Sequence, residues 1–329
     1  MIRLLRGYPL TAFFVLAYAV TWILWAPVVI AGVPAFSETS HVPSWYALPA
    51  VAVGVTGTAF ALTAVTGGRA GVRRLLQRLT CWRVGARWYL VALLTIPLAE
   101  LAITAAATGT DVLRALSPAA LALYPAAFAA HFVFGPLFEE SGWRGFALPR
   151  LQERFGPMRG TLLLGGLWAG WHFFLYAPGW ISGGTVGLVG LAVFVAFTVS
   201  ISVLFTWLSN NTGASLLLVM LLHGSINGTA TWVLILADRG VIPSDAAQFC
   251  AGLGALGAAV LTAGVLTVTT RRLLSYPRYR SQSEHPDLGR APTTDGRENS
   301  WYAVDSEPRP AGSGADGGDR GRTGFRGAR

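Results

Sequence analysis

Seven polar residues stand inside otherwise apolar runs of this sequence: Glu100, His131, Glu139, Glu140, His172, His223 and Asn227. A charged side chain at the centre of a bilayer costs about 2.5–3.5 kcal/mol on insertion scales, so each ionisable member asks for a compensating role. In Phe138-Glu139-Glu140-Ser141-Gly142-Trp143-Arg144-Gly145 the two glutamates are adjacent. Successive helical residues project about 100° apart, so the pair addresses two different targets. Glu140 and Arg144, four apart, share a face and can pair. Glu139 is left as the freer carboxylate, partly buried beside a like charge, which suits it to general-base chemistry. Taken alone, the same segment reads equally well as the charged cytoplasmic end of a membrane span.

Two further segments shift that balance. Trp168-Ala169-Gly170-Trp171-His172 sets an aromatic ring and an imidazole four apart, and His223-Gly224-Ser225-Ile226-Asn227 does the same for an imidazole and a carboxamide. A lone histidine in a span is as readily a hydrogen-bonded packing residue. Two of them on separate helices, with an asparagine in register and a glutamate at a span edge, form a more specific set. Gly142, Gly145, Gly165, Gly166, Gly170, Gly224 and Gly228 would let those helices approach closely. His131 lies eight residues before Glu139, across Gly135-Pro136, and reads as a packing histidine. Glu100 has no partner visible in sequence and is expected either to meet an arginine or to line the cavity. His41 and His285 fall in a loop and a tail and read as solvated.

The three motifs in order, Glu-Glu-x-x-x-Arg, aromatic-x-x-x-His and His-x-x-x-Asn, each on its own predicted helix, resemble the CPBP family. That family comprises the type II CAAX prenyl endopeptidases and related bacteriocin-processing or immunity proteins. The resemblance covers about residues 119–236, with Trp168 where the family commonly has phenylalanine. It implies that Glu139 activates a water with help from His172, and that His223 and Asn227 bind the oxyanion of the cleaved amide. Glu140, Arg144 and Trp168 become supporting residues. Glutamate with two histidines is also the ligand set of several catalytic zinc sites, which makes Glu139, His172 and His223 the candidates for zinc or another divalent metal. The narrower preference is water activation with no obligatory metal. The prenyl-protein substrate does not transfer on motif grounds.

Other hydrolytic chemistries fit less well. The sequence has no His-Glu-x-x-His and no aspartate inside a predicted span. Gly213-Ala214-Ser215-Leu216 approaches a rhomboid-like Gly-x-Ser-Gly but lacks the final glycine. Gly252, Gly254 and Gly257 match a dinucleotide fingerprint by letters only and read as helix packing.

The elements that must position these groups are membrane spans. Of 329 residues, 53% are hydrophobic and 12% charged, against roughly 25% charged in a soluble domain. Apolar runs near the ~20 residues needed to cross a bilayer fall at about 10–33, 46–66, 88–108, 119–138, 160–177, 186–208, 214–236 and 246–270. The fourth and fifth are the weakest, one interrupted by Gly135-Pro136 and the other diluted by glycine. The predicted architecture is an all-α polytopic membrane protein of about eight transmembrane helices. A cytoplasmic N-terminus (1–9) precedes a helical domain (10–270) whose catalytic core is about 119–236. A basic, then disordered, cytoplasmic tail (271–329) follows, its later part rich in Ser, Gly, Pro, Asp and Arg.

All 25 basic residues are arginine, and the net charge is +9. With both termini cytoplasmic, 16 arginines fall in inner segments, seven in the tail, and only Arg114 and Arg239 outside. This asymmetry follows the positive-inside rule; the basic charge therefore reads as topology, with no nucleic-acid partner. Cys81 and Cys250 are too far apart in sequence to suggest a disulfide or metal framework. The expected protein is a multi-pass plasma-membrane endopeptidase with its site toward the cytoplasmic half of the bilayer. A cytoplasmic opening or lateral gap would admit a membrane-anchored, lipidated or hydrophobic peptide. Two rivals use the same residues: a non-enzymatic immunity or scaffolding protein, and a proton-relaying transporter.

Overall fold

The computed structural model describes residues 2–31, 47–277 and 279–280. Every regular element among them is helical. The main helices are α1 (Pro9–Ile30), α2 (Thr58–Leu79), α3 (Ala86–Thr108), α4 (Tyr124–Phe134), α5 (Pro136–Glu140), α6 (Leu148–Phe155), α7 (Pro157–Ser182), α8 (Gly184–Asn211), α9 (Leu216–Asp238) and α10 (Ala255–Thr269). Proline occupies the first turn of α1, α5 and α7, where its missing N–H breaks no helical bond. The expected tail from 281 onward, His41 and His285 lie outside the described residues.

Among the described residues, seven stretches are long and apolar enough to cross a membrane, and the chain is a multi-pass membrane protein. The remaining expected span, 160–177, lies in α7. At 26 residues α7 is about 39 Å long, ample for a crossing. Its apolar content is lowered by the residues that make it useful, the glycines, Trp168, Trp171 and His172. The expected span 119–138 is no single rod. α4 stops at Phe134, the backbone turns at Gly135 (φ −142°, ψ −77°), α5 restarts at Pro136, and Ser141–Ala147 winds as a π-helix before α6. Proline cannot donate the bond that would continue α4. π-turns recur at functional sites because an extra residue per turn re-aims side chains.

Polar contacts gather the arginine-rich segments at one end of the bundle. Arg78 donates to the carbonyls of Ala214 (3.0 Å), Gly145 (2.8 Å) and Arg144 (2.9 Å). Gln152 and Asn210 exchange amide hydrogen bonds (3.1 and 2.8 Å), and Asn210 also donates to the Leu274 carbonyl (2.9 Å). Arg6 reaches the Val65 carbonyl at 3.0 Å. Residues 65–87, 144–159, 207–216 and 270–280 are thereby tied together. At the opposite end, Trp232 donates to the Ala120 carbonyl (2.8 Å). There Val112, Ala115, Ile242 and Ala246 pack with Trp232 and Leu236.

Two sequence near-misses have structural explanations. Ser215 caps α9, accepting from the Leu218 amide (3.3 Å) and donating to the Cys81 carbonyl (2.6 Å). Gly254 lies against α3, where an added Cβ would come within 2.8 Å of Thr104 Oγ1. Both are packing features.

Candidate active site

The break at Gly135 and the π-turn set the direction of the two glutamates. Thr56 bridges the residues on either side of them, donating to the Phe138 carbonyl and lying 2.9 Å from Ser141 Oγ. Gly142 is obligatory, since a Cβ there would come within 2.4 Å of Val55 and 3.0 Å of Phe13. Glu139 and Glu140 are both buried, yet they meet different partners, as their adjacency requires.

Glu140 is closed on all sides. Its carboxylate accepts from Arg144 Nη1 at 3.0 and 3.2 Å and lies 2.8 Å from His223 Nδ1. Arg144 is fully buried, with its guanidinium 4.2 Å from the Trp168 ring centroid and 4.1 Å from that of Phe205. A cation between aromatic faces gains attraction in a place where hydration is absent. Glu140 thus joins the first and third motifs, a link across 83 residues that sequence spacing did not show.

Glu139 has one bonded oxygen, Oε2, which accepts from Trp168 Nε1 at 2.8 Å. Its Oε1 lies 3.2 Å from where a Cβ on Gly135 would stand, and Asn227 Nδ2 lies 4.0 Å from the same point. Gly135 therefore lets the backbone pass close to both the carboxylate and the carboxamide. Its role was hidden in sequence behind the simpler reading of a helix interruption. Trp168 packs edge-on against both imidazoles, with ring centroids 5.7 Å from His172 and 5.2 Å from His223.

His172 Nδ1 lies 2.9 Å from the Trp168 carbonyl. A carbonyl only accepts, so Nδ1 carries the proton and Nε2 keeps a lone pair. By the same logic His223 Nδ1 donates to the Glu140 carboxylate.

All four expected catalytic residues, Glu139, His172, His223 and Asn227, line one cavity of about 660 Å³, together with Trp168. His131 joins them: its Nε2 is 2.6 Å from Thr231 Oγ1, and both residues line the cavity. The bond to Thr231 on α9 is consistent with the packing role expected for His131, which also lines the cavity wall. Glu100 neither meets an arginine nor lines this cavity. It is buried in α3 with both carboxylate oxygens lacking a hydrogen-bond partner. The cavity extends from the glutamate level along α9 to Asp238, toward the end away from the arginines. Of the expected openings, at the arginine-rich end or laterally between helices, the first gains no support, since no lining residue of this cavity falls in the arginine-rich segments.

The metal candidates, Glu139, His172 and His223, share the cavity. Among the described residues, however, no three His, Cys, Asp or Glu side chains are grouped to hold an ion. Each imidazole commits Nδ1, His172 to the Trp168 carbonyl and His223 to Glu140, which leaves Nε2 as the nitrogen that could hold an ion.

Fold and site together define a multi-pass membrane protein with a buried glutamate, histidine and asparagine set facing an internal cavity. Residues 121–229 match the family described as type II CAAX prenyl endopeptidase, Rce1-like. A curated relative named CAAX prenyl protease 2, from Methanococcus maripaludis, is 29% identical over 110 residues, covering 32% of this chain and 40% of the relative. The matched segment contains all three motifs and is similar to that family over this part of the chain.

Proposed function

We propose that the protein is an intramembrane endopeptidase that hydrolyses a peptide bond in a membrane-associated, lipidated or hydrophobic substrate. The observation that carries this reading is the unequal treatment of two adjacent glutamates. Glu140 is saturated by Arg144 and His223, while Glu139 keeps an oxygen at the cavity beside Asn227. The distant relative and the family match support a protease at family level.

In the proposed reaction a water donates one hydrogen bond to Glu139 and the other to His172 Nε2. Glu139 takes a proton as the water oxygen attacks the scissile carbonyl carbon. The resulting oxyanion accepts from Asn227 Nδ2 and His223 Nε2. Donation from Nε2 requires the imidazolium, because Nδ1 is already committed to Glu140, a carboxylate shared with Arg144. Glu139 then passes its proton to the departing amine, the C–N bond breaks, and two peptides leave. Donors placed where charge develops are commonly worth about 10²–10³ in rate.

The test compares membrane peptide termini in cells carrying wild-type protein or Glu139→Gln at equal abundance. Cleavage products present only with the wild type support the reading. Identical terminal profiles would reject it in favour of a non-enzymatic role on the same fold.

A further inference from the structure

The cavity has a direction, and the arginines give that direction a meaning. Along α9 its wall runs from His223 through Asn227, Thr231 and Ile235 to Asp238, where the helix ends. From Asn227 to Asp238 is about 16 Å at 1.5 Å per residue. No lining residue falls within 65–87, 144–159, 207–216 or 270–280, the segments gathered at the arginine-rich end. Beyond His223 on that side the bundle is filled by buried Trp143, Arg144, Phe146 and Leu216. Asp238, by contrast, is exposed.

Arginine-rich short segments stay on the cytoplasmic side of a membrane. The end where the cavity leads carries only Arg114 and Arg239, and Arg114 is paired with Asp111 at 2.9 Å. We infer that the active-site cavity is entered from the extracytoplasmic face, so that the substrate is an exported or outward-facing peptide. A lipid-anchored protein in the cytoplasm would meet the closed end. The direction of access follows from the cavity and the arginines alone; calling the entering molecule a substrate rests on the protease reading above.

The walls indicate what would fit. On one side the His131–Thr231 pair, Asn227 and Asp238 offer hydrogen-bonding groups, and on the other stand Tyr176, Phe194 and Phe197. An extended peptide at about 3.3 Å per residue would place about five residues between the mouth and Asn227, its backbone on the polar wall and apolar side chains on the aromatic one. The scissile bond then lies about five residues inside a segment that can leave the outer membrane surface in extended form.

Access is measured with full-length protein in the plasma membrane of intact bacterial cells, with Cys81→Ala and Cys250→Ala as background. Single cysteines replace Thr231, Asp238 and, at the other end, exposed Arg154. Each is reacted with a small, membrane-impermeant, positively charged methanethiosulfonate before and after lysis. The expected result is labelling of Asp238→Cys and Thr231→Cys in intact cells at least tenfold faster than Arg154→Cys, which reacts only after lysis. Arg239→Cys replaces Asp238→Cys if that variant fails to accumulate.

The reverse pattern overturns the inference, as does a Thr231→Cys that reacts from neither side. Because labelling needs no activity, the expected pattern together with loss of any Glu139-dependent cleavage would overturn the protease reading and leave the direction of access standing.

Discussion

Buried polar groups lie on both sides of the Glu139-Glu140 pair, and the two sides treat them differently. Toward the arginine-rich end most valences are closed: Gln152 and Asn210 bond each other reciprocally, Arg78 caps three carbonyls, and Glu140 holds Arg144 and His223, while Arg144 Nε and Trp143 Nε1 stay without a partner. On the other side, pairs such as His131–Thr231 are closed as well, but the candidate catalytic groups at the cavity are left open. Glu139 commits one oxygen, His172 commits Nδ1, and Asn227 faces the cavity. In a membrane, a polar side chain with every valence closed is architecture, whereas one with an open valence at a cavity can do chemistry. Glu100 is a third case, a carboxyl buried without either partner or cavity.

The largest expected effect tests the open side. Glu139→Gln keeps an acceptor for Trp168 Nε1 but cannot take a proton, so cleavage falls about 10²–10⁴-fold while the melting temperature in detergent holds. Arg144→Met tests the closed side. It leaves the Glu140 carboxylate buried with one partner fewer, and breaking a buried pair costs about 3–5 kcal/mol, read as a lowered melting temperature with loss of cleavage following from loss of fold. Asn227→Ala should lower cleavage about 10²–10³-fold at nearly constant stability; an equal loss of stability would move Asn227 to the closed class. Gln152→Ala strands the Asn210 amide and should cost about 1–3 kcal/mol, with cleavage per folded molecule unchanged. The smallest effect is expected at Glu100. Glu100→Gln removes an ionisable group that has no partner to lose, so thermal denaturation should show no destabilisation.

Much of this division was legible in the sequence because it depends on local helical spacing. Glu140 and Arg144 do pair four residues apart, Glu139 is aimed elsewhere, and the glycines at 142, 145 and 228 do sit where a Cβ would collide with a neighbouring helix. Among the described residues a helix occupies most of each of the eight apolar runs, although α7 carries so much of the site that its apolar signal is weak. What sequence could not show depends on tertiary placement. The Glu140–His223 bond, the His131–Thr231 pair and the direction of the cavity arise only once α4 has turned at Gly135 and the π-turn has re-aimed the chain. The Gly-Pro pair marked that place, but an interruption does not state the angle that follows it.

The central claim is that Glu139 serves chemistry while the groups around Glu140 serve the fold. Its most direct test is the yield of cleavage products per folded molecule in Glu139→Gln relative to wild type, with folding scored by melting temperature in the same preparation. The account predicts at least a hundredfold loss of product at an unchanged melting temperature. Undiminished product, or a loss that only tracks unfolding, would contradict it.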